Sequence, residues 1–358
     1  MNQQKSSFNT DTAVEESQVY GVKGEQRQMP QLSICSVYHS AESREELEQN
    51  YELVSAMNPG IYFEWLVGDN TQDDLIPKVD AKKFKVFRGA GNEFWEHKPG
   101  WASLRHATAL HNTFPHTRTR FLLIIDPDFY IVRKNWIREV ILQMEKEKLA
   151  FFGSVWHPRY YSKYRYFPTT HCLFIDCKRV PPDELTFMPG AMVKHASRFT
   201  KSIGKLPQPL RRFFFMLTFR DRAFIGDSQD AGYAFFKKFY GDPGIHYKLL
   251  TPVYAPLREL RFPSNAFYWP NRFIEFFLPD RLCFIPKKRG YFVSRGFRQL
   301  GYPDIRGMHP DWEEYLWQGK PFGIHLRGTK SKTGYNPHDF GDDFKQVKTI
   351  LESFCSRE

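Results

Sequence analysis

Five consecutive apolar residues, Phe121-Leu122-Leu123-Ile124-Ile125, stop abruptly at the acidic triplet Asp126-Pro127-Asp128. A strand with no polar alternation is buried on both faces, as inner strands of helix-covered parallel sheets are. The segments around it fit that setting. A strand-like run at 32–37 precedes SREELEQNYELVSAM, where Leu47, Tyr51 and Val54 fall at helical spacing and Ser43 stands as a plausible N-cap before Glu46. A second strand over 61–67 ends at Gly68-Asp69-Asn70, and a short third covers 85–87. Helical patterns follow over 103–114 and, beyond the triplet, over 136–148; further strands are expected at 151–155 and 171–176. Alternating strands and helices predict an α/β fold with parallel strands, whose ligands collect beyond the carboxyl ends of the strands. Tyr38, His39, Asp69 and Asp126 all stand at such ends.

Two carboxylates separated by one residue at a strand end can share a divalent cation, and the cation can bridge them to a phosphate-bearing ligand. Proline between them stiffens the turn. In isolation, such a triplet more often only caps a turn; its setting at the end of an apolar strand, facing a convergent cleft, favours the metal. Asp69 has the same ambiguity, as a ligand contact or a turn former.

The chain resembles the GT-A superfamily of nucleotide-sugar transferases, in particular the inverting group called family 2. SICSVYHS at the first strand, FEWLVGDNTQDD at the second and FLLIIDPDFYIVRKNWIREVI around the triplet carry the resemblance, which spans about residues 30 to 240. It implies a Rossmann-like, mixed and mainly parallel sheet flanked by helices, with a C-terminal extension rich in aromatic and basic residues. By resemblance, Tyr38 and Asp69 lie near the nucleotide, Asp126 faces ribose and metal, and Asp128 ligates the metal, Mn²⁺ or Mg²⁺. Gly68 departs from the family's first Asp at that position. The resemblance also makes Arg105 and His106 candidates for the nucleotide phosphates, on a helix that the family often uses toward them. A base that deprotonates the acceptor hydroxyl is expected in GDSQDAGYAFF, as Asp230 or Asp227; the alternative makes Asp227 an N-cap and Asp230 a first-turn acid of the following helix. His325 in GIHLRGTKSK either completes the metal site or is an ordinary hydrogen-bonded histidine, and Arg327 and Lys330 would hold the diphosphate.

Composition narrows the partners. A formal charge of +11 suits anionic ligands or surfaces, and an aromatic share of 17% exceeds what a core absorbs. Nucleic acid ranks last, because no zinc finger, basic-region heptad or RNP-type strand is present. A nucleotidyltransferase would carry a Gly-rich basic loop after its first strand, where SVYHSAESREE is acidic. Basic and aromatic residues interleave between 195 and 222 and again in FIEFFLPDRLCFIPKKRGYF, a mixture suited either to peripheral membrane contact and a lipid-linked saccharide acceptor or, equally, to a solvated charged face with its Phe residues turned into the core. Five cysteines without a CxxC pair read as free thiols of a cytoplasmic protein, one able to work at the inner face of the membrane. The expected layout is a disordered tail over 1–28, a nucleotide-sugar-binding and catalytic domain over 29–240, and an extension over 241–358 that completes the acceptor and metal side. The rival function is an inactive transferase fold that only binds nucleotide-sugar or glycan.

Overall fold

The computed structural model describes residues 29–71, 78–90, 101–160, 163–189, 230–256, 268–280, 283, 285–308, 312–326 and 340–356. The expected tail, Asp227, Arg327, Lys330 and the 195–222 segment lie outside the described residues.

The first strand, β1 (Leu32–Tyr38), is followed by α1 (Ala41–Met57), β2 (Phe63–Asp69) and β3 (Lys85–Arg88). Helix α2 (Trp101–Thr113) leads into β4 (Phe121–Ile125), buried at every position. Next come β5 (Phe129–Ile131), α3 (Trp136–Lys146), β6 (Phe151–Gly153), β7 (Cys172–Asp176), α4 (Tyr233–Phe239), β8 (Tyr247–Leu249) and β9 (Thr251–Pro252). The remainder comprises α5 (Tyr268–Phe276), α6 (Ile305–Met308), the hairpin strands β10 (Glu313–Trp317) and β11 (Lys320–His325), and α7 (Phe340–Cys355).

A seven-stranded sheet has the order β3-β2-β1-β4-β7-β6-β8, and a four-stranded sheet the order β5-β11-β10-β9. The large sheet is mixed and mainly parallel, as expected of its class. Its one reversed strand, β7, runs antiparallel to both β4 and β6 and makes the sheet mixed. No helix assigned in the described residues separates β6 from β7, so the crossover that parallel neighbours require is missing there.

Helix α1 begins earlier than its sequence suggests. Ser40 is the N-cap and Ser43 sits at the third helical position, each side chain meeting the other's backbone in a reciprocal capping box. Leu47 and Val54 then face the core with essentially no exposed surface. Helix α4 starts at Tyr233 behind a left-handed Gly232, so Asp230 lies in the turn before it and is not a first-turn acid. The small sheet, largely unread in the Pro-punctuated final third, is built by β10 and β11. Core residues of the amino-terminal strands and helices form one buried cluster with Trp312, Ile324, Ile350 and Phe354.

Candidate metal centre

Strands β2, β1 and β4 lie side by side and parallel, so their carboxyl ends share one edge of the sheet. Tyr38 and Asp69 are register partners at that edge, and Asp126 follows β4 directly. The convergence expected of these residues is therefore present.

The acidic turn is pinned from four sides. Asp126 donates its backbone N–H to the His171 carbonyl (3.0 Å), and Phe129 donates to the Asp126 carbonyl (3.0 Å). Asn50 of α1 donates from Nδ2 to the Phe129 carbonyl at 2.8 Å and lies 3.3 Å from that of Pro127. Leu326, just past β11, donates to the Asp128 carbonyl at 3.0 Å. Beneath the turn, Ser36 Oγ donates to the Ile125 carbonyl (2.8 Å) and accepts from Trp65 Nε1 (3.1 Å). With the backbone fixed, both carboxylates project from a rigid base, which a metal site requires.

His325 closes the site. It pairs with Phe129 on one side and Glu313 on the other, so the small sheet carries it to the end of the large one. Gly323 makes this approach possible: a Cβ there would lie 2.5 Å from the Phe129 ring, whose centroid is 5.5 Å from that of His325. His325 Nε2 stands 3.3 Å from Asp128 Oδ1 and 3.9 Å from Asp126 Oδ2. One donor atom from each of the three residues lies within 4.8 Å of the others. Nδ1 points the opposite way, 3.4 Å from Glu313 Oε2, and Glu313 also accepts from the Tyr315 hydroxyl at 2.9 Å. The Glu313 contact lacks hydrogen-bond alignment, and Nε2 is the ring atom that faces the two aspartates and could serve as a ligand. The two carboxylates concentrate negative charge beside Nε2, a setting that a bound cation suits. The donor set of two carboxylates and one imidazole could hold a divalent metal ion. Glu313 is the functional residue that sequence reasoning missed; in DWEEYLW nothing marks either glutamate as buried, yet both are at most 2% exposed.

The surrounding residues differ in how far they join this centre. His106 Nε2 approaches Asp126 Oδ1 at 3.8 Å, too far for a hydrogen bond. Burial and the neighbouring His39 push the His106 imidazole down to about 4 against the pull of Asp128, so it is neutral at pH 7. Arg105, partly buried beside it, has its carbonyl tied to Asn70 Nδ2 at 3.1 Å. Asp69 is engaged within its own turn, accepting from Thr71 N (2.9 Å), Thr71 Oγ1 (2.6 Å) and Lys78 Nζ (2.8 Å). Burial opposes its ionisation, but these donors prevail and hold the carboxyl below its usual range. Burial, with Asp69 adding to it, pushes the Tyr38 phenol up. Gly68 has a steric reason to differ from the family pattern. Its Cβ would meet Ala109 Cβ at 3.2 Å and Thr113 Oγ1 at 3.0 Å, so α2 leaves no room for a carboxylate.

Asp230 is joined to His325 by a chain of contacts through Trp156 and His171. Its Oδ2 accepts from Trp156 Nε1 at 3.1 Å, and its Oδ1 from Lys163 Nζ at 2.9 Å. Trp156 meets His171 edge-on at 4.5 Å, and His171 lies 4.9 Å from His325.

No protein-family model matches the chain, and no curated protein does. Several solved structures match, among them a glycosyltransferase involved in the glycosylation of the major capsid of PBCV-1. That pairing covers 62% of this chain and 82% of the other, at 12% identity and a TM-score of 0.27. At those values the functional reading rests on this chain's own residues.

Proposed function

We propose that the chain is an inverting, metal-dependent glycosyltransferase that moves a sugar from a nucleotide-sugar donor to the hydroxyl of a saccharide or lipid-linked saccharide. The observation that carries this reading is the Asp126, Asp128 and His325 cluster at the carboxyl end of β4, backed by the buried Glu313. The sheet around it is of the class in which such donors bind beyond the strand ends, and the motif resemblance points to the same chemistry.

Asp126, Asp128 and His325 would hold Mn²⁺ or Mg²⁺, which when bound neutralises charge on a departing diphosphate. Tyr38, Asp69, Arg105 and His106 line the nucleotide side, with Arg327 and Lys330 assigned to the diphosphate. Asp230, with Asp227 in reserve, takes the proton from the acceptor hydroxyl as the sugar inverts. The free thiols, Cys35, Cys172 and Cys283 among them buried, suit a cytoplasmic setting. Among the described residues no helix is long and apolar enough to cross a membrane.

One observation favours the second reading, a binding module without transfer: Asp230 is already ion-paired with Lys163, and a paired carboxylate is a weaker base. Thermal-shift measurements with UDP-, GDP-, dTDP- and CMP-sugars, with and without Mn²⁺, test the donor site. Stabilisation by one donor only when Mn²⁺ is present, abolished in Asp128→Ala, is expected. Stabilisation by none overturns the reading, and binding without turnover selects the module.

A further inference from the structure

Helix α5 is inside out for a helix on a water-soluble surface. Trp269, Phe273 and Phe276 recur at helical spacing on one face, and Phe277 extends it. They are exposed by 70%, 70%, 77% and 70%, while Glu275 on the opposite face is 1% exposed and holds Arg272 at 2.7 Å. A helix in water turns its carboxylates outward and its rings inward. Rings this exposed and this contiguous mark a contact surface. Phe273 and Phe276 each meet Phe277 edge-on, at 5.5 and 5.3 Å, so the patch is continuous.

The charge beside the patch selects its occupant. Lys287-Lys288-Arg289 is exposed and anchored at the carboxyl end of α5, where Lys287 Nζ donates to the Phe276 carbonyl at 3.2 Å. The nearby acid, Asp280, accepts from the Tyr166 hydroxyl (2.9 Å) and the Lys287 backbone N–H (2.7 Å) and lies 3.7 Å from Arg165, so one carboxylate shared with Arg165 stands against three exposed cations. Tryptophan and phenylalanine that enter an interface, beside cations that meet phosphates, match an anionic bilayer surface. We infer that α5 with Lys287-Lys288-Arg289 is a membrane-docking element that inserts its rings among the headgroups of anionic lipids. A protein partner would more commonly balance the rings with a mixed polar rim.

The inference stands apart from the transfer chemistry, so its test includes Asp128→Ala, which should bind vesicles as the parent does. Full-length protein is sedimented with phosphatidylcholine vesicles, and with vesicles carrying roughly a third phosphatidylglycerol. The expected result is binding to the anionic vesicles only, weakened at least about tenfold by Phe273→Ser with Phe277→Ser and by Lys288→Glu with Arg289→Glu. Trp269 emission should shift to shorter wavelength on binding, and Trp269→Phe should remove that shift. These side chains are exposed, so unchanged thermal melts verify the fold of the variants. Failure to sediment overturns the inference, as does equal binding to neutral vesicles. A dimer that Phe273→Ser with Phe277→Ser converts to monomer, without vesicle binding, makes the face a subunit interface instead.

Discussion

Glu313 has no exposed surface; its carboxylate accepts from the Tyr315 hydroxyl and lies 3.4 Å from His325 Nδ1. Three carboxylates around one imidazole repel one another unless a cation joins them. Glu313→Gln keeps the shape and an acceptor for Tyr315 but removes the carboxylate beside His325 Nδ1. Isothermal titration should show Mn²⁺ affinity about 10- to 100-fold weaker. Thermal stability in chelator should stay level or rise, because the change relieves repulsion in the metal-free site. A fall in chelator would assign Glu313 a purely structural role. Asp128→Ala, by contrast, removes a ligand, and metal-dependent donor turnover should fall by at least about a hundredfold.

At the scale of elements, the turn that carries the ligands depends on α1. Asn50→Ala strands the carbonyls that Asn50 Nδ2 serves in the buried turn, and should cost about 1–3 kcal/mol in denaturant unfolding. It should also weaken Mn²⁺ binding, because the turn is freed. The opposite end of the same sheet makes a matched control. There Glu64 of β2 accepts from Ser33 of β1, Lys85 of β3 and the Arg118 amide. Burial opposes its ionisation, but these donors hold its carboxyl below the ordinary 4.5. A depressed folded value contributes stability above pH 4.5 that is lost as pH falls through the folded value. Acid unfolding of Glu64→Gln should therefore show a shallower fall in stability below that pH, with Mn²⁺ affinity unchanged. Legibility in the sequence follows the same division. Strand β4 and its acidic end were readable because a strand buried on both faces is apolar throughout. The start of α1 was misplaced because Ser40 and Ser43 both suit a cap, and only their reciprocal bonding decides. Glu313 was unreadable because what buries it is cross-strand pairing to β11, which in turn pairs with β5 nearly two hundred residues earlier in the chain.

For the whole molecule, the extension beyond residue 240 and the amino-terminal part build the candidate centre together. His325 and Glu313 belong to the small sheet, and β5, the strand that pairs with β11, belongs to the amino-terminal part. Phe354 of α7 and Tyr302 stack at 5.7 Å within the core cluster that also holds Leu32 and Trp136. A site whose ligands come from both ends of the chain binds metal only when both ends have folded together. Binding to the native state alone then stabilises the whole, by about 2.7 kcal/mol at a hundred times the dissociation constant. Calorimetry of the full chain should show one unfolding transition that Mn²⁺ moves upward as a unit, and in Asp128→Ala that movement should vanish. A fragment ending at residue 240 lacks His325 and leaves β5 without its partner, so it should neither melt cooperatively nor respond to Mn²⁺. Two transitions in the full chain, with only the first shifted by metal, would instead make the carboxyl-terminal extension a separate unit that the centre does not need.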